Sequence, residues 1–443
     1  MNVREFVASA PDLVRIEAPV SSRLEAAAII AALGDRPVLF TNVDGGGRVL
    51  SGFANGRERI ARSLGLTGVD LLHLLTKALD HPQEPMQVSD APCQEVVFER
   101  PDLSRLPILK HLADDGGPYI TAGVATVRDR EFGRNVSYHR LMVTGEREMV
   151  ARVVEGRGTH TAWSRGEEDV PIAVAIGCPL SVLLAAAMSP AKGVDEYGIA
   201  AAIAPTPLVR CRTVPLEVPA EAEIVIEGRL THRLATEGPF IDLTETWDGV
   251  RPQPVLEVDC ITTRRDPIYH AILPGLGEHK TIMGLPREPG MLAAVAKVCE
   301  VLDVGLTPGG MSWLHALVRI RKQRRDDGPA AIRAAMEGHP SVKHVVVVDE
   351  DVDISDPLRV EWAIATRVQA AKDVYVYPDR PSSSLDPSSR QVPGKRGLTD
   401  KLGVDATVPW PESDDPDEIA QHVAAFQRVS YPEADLSRYT GKD

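Results

Sequence analysis

The sequence predicts a mixed α/β protein. Three observations lead there. Helical and strand periodicities alternate over about the first hundred residues, a strand-rich stretch follows to about residue 275, and the alternation returns after about residue 290. A chain of 443 residues exceeds one compact core and predicts two or three domains. The expected division is 1–105 as an N-terminal α/β region, 106–290 as a β-rich domain and 291–443 as a C-terminal α/β domain with an extended tail.

In the first region, "SSRLEAAAIIAAL" has the apolar spacing of a helix, "PVLFTNV" that of a short strand, and "DGGG" is a turn. "GVDLLHLLTKAL" predicts a second helix. The stretch "FERPDLSRLPILKHLADDGGPY" is rich in proline and turn residues and marks a boundary. Beyond it, "YITAGVATVRD", "NVSYHRLMVTG", "PLEVPAEAEIVIEGRL" and "PVLEVDCITTRRDPIYHAIL" are β-rich runs broken by Gly, Pro and Asp. In "AEIVIEGRL", Glu223 and Glu227 share one face and Ile224 and Ile226 the other, as in a half-buried strand. In the last region "MLAAVAKVCEVL" and "PAAIRAAMEG" predict helices, and "VKHVVVVDEDVDI" a buried strand with an acidic end. The tail "PDRPSSSLDPSSRQVPGKRG" is turn-rich.

Bulk properties exclude several functions. A net charge of −14 argues against nucleic acid or an anionic membrane as partner. Five scattered cysteines without a CxxC pair argue against structural zinc or a disulfide framework and suit a reducing cytosol. "MNVREFVASAPDL" lacks an apolar core, so no secretory signal is expected there. Val170 to Ala191 carries no charge, but Pro171, Gly177 and Pro179 divide it into a buried strand, a turn and a core helix rather than a membrane span.

One short segment raises a chemical question. "TEGPFID" puts Glu237 and Asp242 either side of Gly-Pro-Phe, a spacing that neither helix nor strand would bring together. Other polar residues stand out. "GRNVSYHRLMV" carries Asn135 and Arg140, which strand alternation sends to opposite faces unless a bend intervenes. "VEGRGTHTAW" places His160 in a glycine-containing turn, where a histidine is commonly a surface or capping group. "AKGVDEYGIAAAI" puts Asp195 and Glu196 at the start of an apolar run, either as acids favoured by the helix dipole or, for Glu196, as an inward ligand. Asn, His and Glu together suit Mn²⁺ or Mg²⁺ better than a thiolate zinc site.

In this order and spacing, the motifs resemble the UbiD family of reversible decarboxylases, which use prenylated FMN. "LVRIEAPVSSRLEAAAI", "DLSRLPILKHLADDGGPYITAGV", "EIVIEG" followed by "EGPF", and "VVVVDEDVDISDPLRVEWAIATR" carry the likeness. The resemblance implies a central split β-barrel flavin domain between the two α/β parts, and a homodimer. It places metal binding on Asn135, Glu196 and His160, with Mn²⁺ or Mg²⁺ bridging the flavin phosphate and K⁺ beside it. Cofactor contacts fall on Asn135, Val136, Ser137, Arg140, Met188, Glu196 and Lys343. Arg140, Glu237 and Asp242 become the catalytic set, with Asp242 as proton donor and Arg140 paired with Glu237. The family histidine directly follows a basic residue, whereas here Gly158 follows Arg157 and His160 comes two positions later.

The expected activity is therefore reversible, non-oxidative decarboxylation of an aromatic or α,β-unsaturated acid through a covalent adduct with the cofactor. A flavin prenyltransferase would supply that cofactor. Two other readings remain open: an oxidoreductase using ordinary FMN, and a non-catalytic subunit of a larger carboxylase. No GxGxxG follows a predicted strand, which leaves a nicotinamide site without support.

Overall fold

The computed structural model describes residues 1–44, 46–390, 397–413, 415–429 and 431. Its centre is a nine-stranded antiparallel sheet. The pairing order runs Tyr119–Ile120, Leu141–Gly145, Glu148–Ala151, Arg251–Thr263, Ile224–Glu237, Val170–Ile176, Val124–Asp129, Gly133–Tyr138, with Val96–Phe98 added beside Arg251–Thr263. Among the described residues this path does not close on itself. The long strands Ile224–Glu237 and Arg251–Thr263 form the spine, and Glu237 lies opposite Arg251 at its far end. Their register slips at Glu227/Gly228, where a Cβ on Gly228 would overlap the Glu257 carbonyl. The uncharged run becomes strand Val170–Ile176 and helix Leu180–Ala187, every residue of which is buried. No helix among the described residues is long and apolar enough to cross a membrane.

Two smaller sheets flank this one. Val14–Ile16, Val38–Val43 and Gly47–Ser51 form the first, completed by Ile268–His270, which pairs in parallel with Gly47–Ser51. The second has the order Glu300–Leu306, His315–Arg321, His344–Asp349, Leu398–Asp405, Val374–Pro381. In its central strand Val345 and Val347 pack with Ile332 and Ala335 of helix Asp327–Gly338, while Val346 and Val348 pack with Val360 and Ala363 of helix Pro357–Arg367. Burial on both faces is what an unbroken valine run provides, at roughly 1.5–3 kcal/mol per side chain.

Three sequence expectations change. Glu223 lies just before the strand Ile224–Glu237 that holds Glu227, and Glu223–Gly228 is buried on both faces, not one. Glu227 accepts the backbone N–H groups of Arg212 and Thr213, and Glu223 pairs with Arg4 at 2.9 Å, so the acidic face is covered by other chain segments. "NVSYHRLMVTG" is two strands, broken at His139–Arg140. The helix expected over "MLAAVAKVCEVL" ends at Val295, and a strand begins at Glu300. Of the turn-rich tail, "PDRP" ends the edge strand Val374–Pro381, and residues 391–396 lie outside the described residues.

Candidate active site

The break at His139–Arg140 frees Arg140 from strand alternation. Gly133–Tyr138 pairs with Val124–Asp129, Leu141–Gly145 runs on the other side of the sheet, and Arg140 sits at the corner. Arg140 meets Glu237 in a two-point ion pair, Nε to Oε1 at 2.8 Å and Nη2 to Oε2 at 2.9 Å. Glu237 ends the spine strand and is fully buried. A buried charge pair needs such geometry to offset its desolvation.

The Gly-Pro-Phe segment then turns the chain. Gly238 has φ of 92°, which a side chain would resist, and Pro239 accepts the Gly116 N–H of the Asp-Gly-Gly turn at 2.9 Å. Phe240–Ile241 and Trp247–Asp248 form a two-stranded ribbon with Phe240 opposite Asp248. Asp242 follows, with its N–H on the Thr246 carbonyl at 3.0 Å. Its Oδ2 lies 3.6 Å from Arg140 Nη1, and the Phe240 ring lies 4.7 Å from the Arg140 guanidinium. The bend thus brings both acids of "TEGPFID" to one arginine.

Sequence reasoning missed Asp248. It receives Arg140 Nη2 at 2.7 Å and Arg251 Nη1 at 2.8 Å, and Arg152 Nε lies 3.9 Å away. Burial pushes its carboxyl up, but Arg251 and Arg140 together hold it below the ordinary aspartate value. Reading "FIDLTETWDG" as a hairpin would have placed it beside Phe240. Tyr119, also missed, donates its hydroxyl to Glu237 Oε1 at 3.2 Å. His279 accepts the Gly275 N–H on Nδ1, leaving Nε2 to carry the proton. Burial lowers its pKa, with Asp242 opposing and Arg140 reinforcing that shift.

The second group lies one strand turn earlier. Asn135 and Glu196 come together because Glu196 Oε2 accepts the N–H of buried Val136 at 2.8 Å. Asp195, the cap of helix Glu196–Ile203, is neutralised by Arg134. Glu196 has no ion-pair partner among the described residues, and burial raises its pKa to about 7 against the opposing Val136 N–H and the nearby charge of Arg134. A buried carboxylate without an ion-pair partner, beside an amide oxygen, fits a hard divalent ion. A Cβ on Gly158 would overlap the Asn135 amide oxygen, so a larger side chain there would require Asn135 to turn away.

The expected turn around His160 is a short helix, Gly158–Ser164, in which Thr159 is the buried residue, bonded to His139 Nε2 at 2.8 Å and to Ser137 Oγ at 3.3 Å. The His160 ring lies 5.9 Å from Trp163, and its contacts among the described residues include neither Asn135 nor Glu196. Met188 is buried at the end of helix Leu180–Ala187. Lys343 pairs with Asp386 at 3.1 Å.

An arginine ringed by acids, next to a carboxylate–amide pair suited to a cation, sits in a chain that three family models cover. The N-terminal domain of 3-octaprenyl-4-hydroxybenzoate carboxy-lyase matches residues 4–79, its Rift-related domain 85–277 and its C-terminal domain 280–406. The chain belongs to the UbiD family and is a decarboxylase of the carboxy-lyase class. It is 42% identical to an anhydromevalonate phosphate decarboxylase of Methanothermobacter thermautotrophicus, over 94% of this chain and 97% of that one. A namesake from Methanosarcina mazei is 40% identical over 92% and 96%. The UbiD-class enzyme HmfF of Pelotomaculum thermopropionicum, solved in complex with FMN, superposes with a TM-score of 0.92 at 38% identity, over 99% of this chain and all of that one.

Proposed function

We propose that the chain removes CO₂ from a phosphorylated α,β-unsaturated carboxylic acid of the anhydromevalonate phosphate type, with prenylated FMN as cofactor. The observation that carries this is the Arg140–Glu237–Asp242 cluster, with separations of 2.8 and 3.6 Å, in a chain so similar to decarboxylases of that acid. Asn135 and Glu196 would hold Mn²⁺ or Mg²⁺ against the flavin phosphate, with His160 as a third ligand and K⁺ nearby. Val136, Ser137, Met188 and Lys343 would border the cofactor. A flavin prenyltransferase would provide it, and the protein would work as a cytoplasmic homodimer, with domains divided near residues 105 and 290.

Loss of CO₂ from an sp² carbon leaves an unstabilised electron pair, and the cofactor, when bound, would supply the sink for it. The protein's own residues do the rest. Arg140, fixed by Glu237 and Asp248, orients the carboxylate that leaves. The bond to that carboxylate breaks with its electrons kept on the substrate carbon. Asp242, held more loosely by Arg140, then gives its proton to that carbon. In the carboxylation direction the same group removes the proton.

The test is direct. Protein co-expressed with a flavin prenyltransferase is expected to carry a flavin heavier than FMN by mass spectrometry. It is expected to release CO₂ from anhydromevalonate phosphate but not from 3,4-dihydroxybenzoate. Release from neither acid by prenyl-flavin-loaded protein sinks the reading; release from the aromatic acid alone replaces its substrate class.

A further inference from the structure

The turn that presents Asp242 has little to hold it from within. Phe240–Ile241 and Trp247–Asp248 pair over two residues only, and a ribbon so short is not stable by itself. Its tip closes on itself: the Asp242 N–H reaches the Thr246 carbonyl and the Glu245 N–H the Asp242 carbonyl, both at 3.0 Å. Glu245 stands in the left-handed region, with φ of 59°, which ordinary side chains resist. Leu243, fully buried, anchors the tip on one side. Arg140 does not fix the Asp242 side chain, since 3.6 Å between Nη1 and Oδ2 is beyond a hydrogen bond. Where the Asp242 carboxyl stands is therefore set by the backbone of this turn and by whatever braces it.

Two braces come from one neighbouring segment. Lys280 of helix Gly277–Gly284 donates from its ammonium to Glu245 Oε1 at 2.5 Å, its one hydrogen bond among the described residues. The Lys280 side chain is 14% exposed and that of Glu245 51%. A lysine so far covered differs from the loose ion pairs of a surface, which add little. The loop before the helix presses on the same turn. Gly275, at φ of 74°, passes so close that a Cβ there would lie 3.2 Å from Glu245 Cγ and 3.5 Å from the Asp242 carbonyl oxygen. His279 Nδ1 in turn accepts the Gly275 N–H at 3.0 Å.

That segment is itself firmly seated. Glu278 is buried and accepts the N–H groups of Gly52 and Ala54, both at 2.7 Å, with His270 Nε2 at 2.9 Å from the same carboxylate. Just past Lys280, Thr281 Oγ1 accepts the Gly56 N–H at 2.9 Å. Lys280 thus reaches the ribbon from a helix fastened to the N-terminal layer by residues close on either side of it.

We propose that Lys280 and Glu245 are positioning residues: their bridge latches the Asp242 turn to the N-terminal layer and so fixes the proton donor opposite the substrate carbon. This rests on the decarboxylase reading, with Asp242 as its acid. Neither residue touches substrate or gives a proton; both act through the turn. A donor displaced by about 1 Å can lose about a hundred-fold in rate.

The experiment has a structural arm and a kinetic arm, both on flavin-loaded protein. In the first, amide hydrogen exchange over residues 240–248 is followed by mass spectrometry. Lys280→Met and Glu245→Gln are expected to speed exchange there while the strand Ile224–Glu237 exchanges as before. In the second, with the phosphorylated acid, each variant is expected to lower kcat about ten- to a hundred-fold with KM little changed. The solvent deuterium isotope effect on kcat rises, because proton transfer becomes the slow step. The double variant is no slower than the slower single one, since both break one bridge. Lys280→Arg recovers rate, and flavin content stays unchanged throughout.

Equal exchange over residues 240–248 in wild type and both variants overturns the latch. So does wild-type kcat in both variants while Asp242→Asn is inactive, or a loss in the double variant equal to the product of the single losses. Faster exchange in the variants of a protein that releases no CO₂ leaves the latch standing and brings down the decarboxylase reading.

Discussion

Arg140 and Arg287 are both drawn away from water, and the protein treats them in opposite ways. Arg140 faces three carboxylates, two of them at 2.7–2.9 Å, and its pKa is pushed above the ordinary arginine value by Glu237, Asp248 and Asp242 against the cost of burial. Arg287 faces an aromatic ring and another arginine, and its pKa falls. A group that must keep one orientation through every turnover is tied to the protein itself. The first arrangement is the kind that holds a charge pre-organised, and the second leaves a charge without a fixed partner group.

The comparison can be broken most severely at its acids. Glu237→Gln and Asp242→Asn are each expected to lower kcat about 10²- to 10⁴-fold, the usual worth of a positioned acid or base. Flavin content by absorbance should be unchanged, and a variant of either kind with full turnover would remove the assigned roles. Next comes stability. Arg140→Met leaves Glu237 buried with only the Tyr119 hydroxyl, and is expected to cost about 3–5 kcal/mol in denaturant unfolding. Arg287→Met, the same change at the other arginine, is expected to be neutral or stabilising, so only the Arg140 substitution should lower the melting temperature.

Smaller effects sharpen the picture. Asp248→Asn should lower kcat by about ten-fold through a less firmly held Arg140, and a double-mutant cycle with Arg251 should give a coupling of about 0.5–3 kcal/mol. The Asp248 carboxyl is more acidic folded than unfolded. Its contribution is therefore present above about pH 4, the unfolded aspartate value, and is lost as pH falls through the lower folded value. Asp248→Asn should flatten that acid limb of stability. Tyr119→Phe removes one hydrogen bond of 3.2 Å to Glu237 and should cost about 1 kcal/mol.

Local signals in the sequence carried far, and failed at identifiable places. Helices Glu25–Leu33, Gly68–Asp80 and Asp327–Gly338 were legible because their apolar residues recur at helical spacing. The Glu237–Asp242 bend was legible because glycine and proline report backbone geometry wherever they stand. Asp248 was not, since only the ribbon pairing of Phe240 with Asp248 brings it to Arg140. Nor was the break at His139–Arg140, where no glycine or proline marks the corner. The pairing of Ile268–His270 with Gly47–Ser51 joins segments more than two hundred residues apart, and no local pattern encodes such a partner.

That last pairing separates two jobs. After the spine strand Arg251–Thr263 the chain leaves the central sheet, adds Ile268–His270 to the N-terminal one, and only then forms the stretch holding His279 and Arg287. Glu278 fastens that stretch to the N-terminal layer through the N–H groups of Gly52 and Ala54, both at 2.7 Å. The stretch holding His279 and Arg287 is therefore mounted on a different frame from the strand that carries Glu237.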